Sequence, residues 1–234
     1  MDKKEFIQEI NKLGIQLTEE QLHQLDKYYQ LLVEWNKVMN LTGITEEKEV
    51  YLKHFYDSLT IAKVIDLTKE KSLCDVGSGA GFPGMVLKIV FPNLKVTLVD
   101  SLNKRIKFLT EVANELNLKD IALVHARAED FAKNNREKFD VVTARAVAPI
   151  NVLLEYCLPL IKVGKYFIAL KGNISQEIIL LNNSLTKIGG KLINSQEFLL
   201  PIENSNRSLL VITKENPTSK KYPRHPKDIK INPL

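Results

Sequence analysis

The chain has 234 residues, 33 Lys and Arg against 28 Asp and Glu, a net charge of +5, and 44% hydrophobic and 26% charged residues. That balance excludes a disordered, collagen-like or low-complexity chain, and no run of 18 apolar residues is present to span a membrane. Met1–Glu5 opens no apolar signal-peptide core, and Cys74 and Cys157 lie far apart in apolar contexts as buried free thiols, so the chain reads as soluble, cytoplasmic and metal-free.

The first 66 residues are helical by pattern. Phe6, Ile7, Ile10 and Leu13 share one face, and Gly14 ends that segment. Thr18-Glu19-Glu20-Gln21 is a capping box that opens a helix carrying Leu22, Leu25, Tyr29, Leu32 and Met39. Thr45 is expected to cap a third helix running to about Val64. Trp35 reads as core. His54 and Asp57, three apart on one helical face, read as a packing contact between this extension and the main domain, with the rim of a site as the alternative.

From Ser72 onward short apolar runs alternate with helical patterns. Strands are expected at Ser72–Val76, Lys95–Val99, Ile121–His125, Asp140–Thr143 and Tyr166–Leu170. Helices are expected at Gly84–Val90, Asn103–Asn117, Glu129–Asn134, Ile150–Ile161 and Ile174–Lys187. Five βα repeats imply a parallel sheet covered on both faces. After Gly189-Gly190, Lys191–Leu200 and Ser208–Thr213 follow with no helix between them, as an antiparallel hairpin closing the sheet. The division is residues 1–66 as a helical extension, 67–213 as an α/β domain and 214–234 as a tail.

Charge follows the same division. Residues 1–50 hold 6 basic and 10 acidic side chains, and residues 214–234 hold 6 and 2. Pro217, Pro223, Pro226 and Pro233 in the tail argue against a helix there, so it reads as an extended basic strap suited to a polyanion such as RNA. The acidic extension is expected to face away from RNA.

The strongest local signal is Asp75-Val76-Gly77-Ser78-Gly79-Ala80-Gly81-Phe82-Pro83-Gly84, between the first strand and the first helix. Gly79 to Gly84 satisfies G-x-G-x-x-G, the dinucleotide fingerprint. Started one glycine earlier, the run is similar to the first motif of class I S-adenosylmethionine methyltransferases, with an acid ahead of the glycines. A carboxylate there repels a diphosphate and welcomes an ammonium group. Asp100, ending the second strand, suits ribose hydroxyls in either reading. The turn Arg127-Ala128-Glu129-Asp130 suits an adenine.

Further pieces make the resemblance specific. They are Trp35-Asn36 with Asn40-Leu41-Thr42, His54 with Asp57-Ser58-Leu59, Asp75 to Gly84, Asp100-Ser101 with Lys104-Arg105, Arg127-Ala128-Glu129, Arg145-Ala146 with Ala148, and Leu170-Lys171-Gly172. Together they resemble the RsmG (GidB) family of bacterial small-subunit ribosomal RNA methyltransferases. The resemblance implies a class I, Rossmann-like α/β fold with a seven-stranded, mostly parallel sheet behind a helical extension. It implies methyl transfer from S-adenosyl-L-methionine to N7 of a guanine in the 530 loop of 16S rRNA, on the small ribosomal subunit or an assembly intermediate; a monomer is the default expectation. By position, the cofactor contacts it carries over are Gly77, Phe82, Ala128, Glu129 and Arg145. Gly79 and Asp100 join them from the loop geometry.

The fourth strand ends in Thr143-Ala144-Arg145-Ala146, without the Asn/Asp-Pro-Pro-aromatic motif of many amino-group methyltransferases. Guanine N7 carries no proton, so no general base is expected and catalysis rests on in-line positioning, with Arg145 and Lys171 as positioning candidates. Lys104, Arg105 and Lys171 on the carboxyl edge of the sheet are expected to hold RNA phosphates. An NAD(P)-dependent oxidoreductase on the same glycine loop, or a non-catalytic RNA-binding module on the same fold, are the alternatives.

Overall fold

The computed structural model describes residues 1–174 and 177–234. Helix α1 (Lys3–Asn11) is closed by a capping box between Asp2 and Glu5 and buries Phe6 and Ile10. Helix α2 (Glu19–Met39) starts at the expected Thr18–Gln21 box and buries Leu25, Tyr28, Leu31 and Leu32. It stops at Asn40, which is left-handed at φ 50°. The Asn36 carboxamide then accepts from the amides of Leu41 (2.6 Å) and Thr42 (2.9 Å), turning the chain back.

A continuous helical run covers residues 47–63. It comprises α3 (Glu47–Val50), a π-helical turn (Tyr51–Tyr56), α4 (Asp57–Leu59) and a 3₁₀ turn (Thr60–Lys63). Its cap is Glu46, which accepts from the Glu49 amide at 2.9 Å, and not the expected Thr45. The π turn widens the helix by one residue per turn, a distortion common at functional sites, and here it carries Lys53 and His54.

Strand β1 (Ser72–Val76) leads through the glycine turn into α5 (Gly84–Val90), β2 (Lys95–Asp100) into α6 (Asn103–Glu115), and β3 (Ile121–His125) into α7 (Ala128–Asn134). Strand β4 (Phe139–Arg145) is followed by α8 (Ile150–Cys157). That helix ends four residues earlier than its apolar pattern suggests: a 3₁₀ turn at Leu158–Leu160 contains Pro159, and strand β5 (Ile161–Lys171) starts at once. Helix α9 (Glu177–Ile188) follows; residues 175 and 176, part of the expected helix from Ile174, lie outside the described residues. Strands β6 (Gly190–Leu199) and β7 (Asn206–Lys214) form the hairpin.

The seven strands lie in the order β3-β2-β1-β4-β5-β7-β6, parallel except for β7, which is antiparallel to both neighbours. Leu73, Cys74 and Val76 of β1 are fully buried, as a strand covered on both faces requires. One core joins α1, α2, the 47–63 run, α5 and α6; the other joins α7, α8, α9 and Tyr222. Strand order reverses at β1, where β2 lies on one side and β4 on the other. In such sheets ligands bind outside the carboxyl ends of the strands at that switch point.

The tail is not an extended strap. Thr218 donates to the Ile188 carbonyl at 2.9 Å, Arg136 donates to the Tyr222 carbonyl at 2.7 Å, and residues Pro226–Ile231 form helix α10 against α8. Pro226 sits in the first turn, where its missing N–H costs nothing, so the prolines do not exclude a helix. Arg224 pairs with Glu155, whose side chain is wholly buried. Among the described residues no helix is long and apolar enough to cross a membrane.

Candidate functional site

At the carboxyl edge of the sheet two cavities lie side by side. The first follows the glycine turn. Its walls come from successive strand ends: Gly77 after β1, Val99, Asp100, Ser101 and Arg105 at β2 and α6, Ala126 to Glu129 after β3, Ala146 and Val147 after β4, and Tyr156 of α8. Its volume is about 260 Å³. Gly77 has φ +74°, and a β-carbon there would lie 2.5 Å from Val147 Cγ2, so only glycine lets Val147 close over it. Gly79, at φ +60°, has nothing within 4 Å of the place a β-carbon would take. Its amide donates to Asp100 Oδ2 at 2.9 Å.

Three carboxylates surround this turn. Asp100 also accepts from the Leu102 amide (2.9 Å) and from Arg105 (3.1 Å), so it anchors the loop and shields its charge. Glu129 is buried at the head of α7, with the Arg127 guanidinium 4.0 Å away. Asp75 is completely buried; its Oδ2 accepts from the Gly84 amide at 3.0 Å and its Oδ1 has no hydrogen-bond partner. Burial pushes its carboxyl up to about 7. An orphan acceptor of this kind marks a place for a donor.

The second cavity, about 360 Å³, is lined by Ile44, Lys53, His54 and Asp57 of the extension and by Arg145, Ala146, Leu170, Lys171, Gly172 and Arg207 of the sheet edge. Asp57, 4% exposed, is the hub: Arg145 donates to its Oδ2 at 2.8 Å and Arg207 Nε to its Oδ1 at 3.0 Å. Arg145 also donates to the Lys53 carbonyl (2.9 Å) and reaches His54 Nδ1 (3.3 Å). Nδ1 also lies 3.2 Å from the Lys53 carbonyl and Nε2 faces Thr42 Oγ1 at 2.9 Å, so both ring nitrogens are engaged in either tautomer. Burial, with Arg145 beside it, pushes His54 down to about 3, so the ring stays neutral. It lies flat on Phe82, with ring centroids 4.3 Å apart at 18°.

Ala146 lines both cavities and, at φ +56°, holds a left-handed conformation without being glycine. The extension is fastened to the glycine turn itself: the buried Tyr28 hydroxyl of α2 donates to the Ala80 carbonyl, and Gln21 donates to the carbonyls of Ile89 (2.9 Å) and Val90 (3.0 Å) at the end of α5.

Of the residues expected to hold a cofactor, Gly77, Asp100, Ala128 and Glu129 line the first cavity, and Gly79 lies in its loop with its amide turned to Asp100. Arg145 lines the second cavity, and Phe82 lies beneath it, 5% exposed and stacked under His54. Among the cations expected to meet RNA, Arg105 faces the first cavity and pairs with Asp100. Lys104 donates to the Met39 carbonyl at 3.0 Å, and Lys171 lines the second cavity, paired with Glu177 at 2.9 Å. His54 and Asp57 do join the extension to the sheet, and they do so as walls of the second cavity. The extension therefore does not stand apart from the site. Sequence reasoning missed Tyr156, Val147, Lys53 and Arg207. No spacing marks Arg207, whose partner lies 150 residues away.

A family model described as rRNA small subunit methyltransferase G (GidB) matches residues 21–204. A ribosomal RNA small subunit methyltransferase G of Exiguobacterium sp. is 54% identical over 227 residues, 96% of this chain and 95% of that protein. Another, of Halalkalibacterium halodurans, is 51% identical over 237 residues and covers all of both chains. Among solved structures, a SAM dependent methyltransferase from Aquifex aeolicus superposes with TM-score 0.54 at 16% identity, over 74% of this chain and 97% of that one. The 16S rRNA (adenine(1408)-N(1))-methyltransferase of Catenulisporales acidiphilia, solved with cosubstrate SAM, gives TM-score 0.54 at 17% identity, over 65% and 88%. These two likenesses establish the class I methyltransferase fold. The match decides against the oxidoreductase alternative: with relatives more than half identical end to end, the chain belongs to the ribosomal RNA small subunit methyltransferase G family.

Proposed function

We propose that the chain transfers a methyl group from S-adenosyl-L-methionine to N7 of a guanine in the 530 loop of 16S rRNA, in the cytoplasm. The first cavity is the cofactor cleft in this reading and the second receives the guanine. The observation that carries it is Ala146, one residue shared by both walls, so a group held in one cavity reaches a group held in the other.

The residues of the cleft fit the cofactor. Asp100 and Glu129 suit ribose hydroxyls and an adenine edge, and the open side of Gly79 leaves room for close approach, while the buried Asp75 braces the turn through the Gly84 amide. The two carboxylates that line it, Asp100 and Glu129, disfavour a diphosphate there. When bound, the cofactor supplies a sulfonium methyl group open to nucleophilic attack.

The second cavity suits a nucleophile that needs no base. Its carboxylate, Asp57, is engaged by two arginines, and His54 has both nitrogens occupied. Neither is free to take a proton. Guanine N7 presents a lone pair and no proton, and its ring becomes cationic on methylation. Asp57 offsets the arginine charge that such a ring would otherwise meet. Positioning is then the main contribution, and a guanine in folded RNA has to be unpaired or turned out to enter.

Incubation of the protein with S-adenosylmethionine and unmodified small-subunit RNA, followed by mapping of 7-methylguanosine, tests the reading. One modified guanine in the 530 loop is expected. No methyl group on free RNA, on 30S particles and on partly assembled particles alike overturns it.

A further inference from the structure

The segment that separates the cavities is the connection between β4 and α8, residues 146–149. Val147 closes over Gly77 on the cofactor side, and Ala146 faces both sides in a left-handed conformation. Such a conformation persists in a non-glycine residue only where its surroundings over-determine it. The structure supplies that constraint from one ion pair. Lys171, ending β5, donates to the Ala148 carbonyl at 2.8 Å and lies 2.9 Å from Glu177 Oε2. Glu177, opening α9, uses the same oxygen to accept from the Ile150 amide at 2.9 Å. The pair therefore grips a carbonyl and an amide two residues apart, just beyond Ala146. Its lysine side chain is 12% exposed and its glutamate 28%.

We propose that Lys171 and Glu177 form a clamp that fixes the wall between the two cavities, so that Lys171 is a positioning residue and not an RNA-phosphate contact. This rests on the reading above, in which the methyl group crosses at Ala146. An ammonium group has three donors, and those of Lys171 are directed at Ala148 and at both oxygens of Glu177. Reaching a phosphate would release the wall. The clamp acts where geometry matters most, because a displacement of about 1 Å between reacting groups can cost roughly 100-fold in rate.

Two substitutions of opposite charge separate a clamp from a phosphate contact. If the pair is a clamp, Lys171→Met and Glu177→Ala act in the same direction. Each lowers kcat by roughly 10- to 100-fold, each leaves the salt dependence of RNA affinity unchanged, and each speeds hydrogen–deuterium exchange of the Val147, Ala148 and Ile150 amides in the protein without cofactor or RNA. If Lys171 holds a phosphate, the two act in opposite directions: Lys171→Met weakens RNA binding and lowers the salt slope by about one, while Glu177→Ala tightens RNA binding and spares kcat. That pattern overturns the clamp. Thermal melting checks that both variants fold. Should either fail, Glu177→Gln keeps an acceptor for Ile150 and loses only the charge, so exchange and kcat fall between wild type and the loosened wall. Wild-type values in both overturn the proposal. Loss of methyl transfer in the wild-type protein refutes the methyltransfer reading alone, and the exchange measurement still decides the clamp.

Discussion

The two cavities share a wall and are built by opposite means. The glycine-loop cleft draws its lining from consecutive strand ends, β1 to β4, and depends on backbone conformation: Gly77 and Gly79 left-handed, an amide turned to Asp100. The cationic cavity draws on residues 44, 53, 54, 57, 145, 146, 170–172 and 207, brought together by the extension and the closing hairpin. Their buried acids differ in the same way. Asp75, beside the cleft, has one backbone donor and an orphan oxygen, whereas Asp57 is saturated by two arginines. A ligand site shaped by backbone leaves an acceptor open. A site shaped by side chains balances its charges internally and presents shape more than net charge.

The contrast breaks at its hub first. Asp57→Ala leaves Arg145 and Arg207 partly buried without their carboxylate. Removing one partner of a buried pair costs about 4 kcal/mol, read as a shift of the denaturant midpoint, and methyl transfer falls with it. The affinity for S-adenosylhomocysteine stays within about threefold, because the cleft is lined elsewhere. A stability loss below about 1 kcal/mol would show that the arginines hold the cavity without Asp57.

Asp75 carries the next effect, and its sign is opposite to that of a paired acid. Its carboxyl stands near 7 in the folded protein against 3.8 ordinarily, through burial. Between those values the unfolded chain releases the proton and the native state keeps it. The contribution to stability is thus complete below about pH 4 and is lost as pH rises toward 7, by roughly 4 kcal/mol. Asp75→Asn flattens that window in urea titrations at pH 4.5, 6 and 7.5. Equal slopes for variant and wild type would mean that Oδ1 is solvated. Smaller again is Gly77→Ala, which strains φ +74° and pushes on Val147. Calorimetry is expected to find S-adenosylhomocysteine bound about 10-fold more weakly, with unchanged affinity meaning that Val147 does not close the cleft.

The same contrast explains what the sequence made legible. Strand and helix periodicity gave the elements of the sheet in chain order, because each βα unit is local, and the glycine run located the first cavity. Helix ends misled where a local cap outweighed the pattern: Glu46 in place of Thr45, and Pro159 stopping α8. The second cavity was legible only as scattered pieces. Asn36, Asn40 and Thr42 gain meaning once the turned chain brings Thr42 to His54, and His54 and Asp57 once the π turn and β7 bring them to Arg145 and Arg207. Arg145 carries its cofactor role from the family resemblance, and its place on the second cavity depends on Asp57, 88 residues earlier, which no local spacing reveals. Charge and four prolines together marked the tail as a strap, and the same prolines hid the packing of Tyr222 and Ile229.

That tail gives the mildest and most selective test. Deleting residues 217–234 looks like the natural way to ask whether its charge meets RNA. The deletion also strips Tyr222 and Ile229 from the core and leaves Glu155 buried without Arg224, so it reports on folding. Lys220, Lys221, Lys227 and Lys230 are exposed, and they lie along the segment that packs on α8, the helix that brings Tyr156 to the glycine-loop cleft. Changing these four to glutamine removes charge and leaves the packing alone. If RNA is gripped from both sides of the wall, the slope of log affinity against log salt falls by about two and affinity near 0.1 M salt drops roughly 10-fold. Melting temperature and S-adenosylhomocysteine affinity stay at their wild-type values. An unchanged slope would confine RNA recognition to the side of the cationic cavity and leave the tail lysines a solubilising surface.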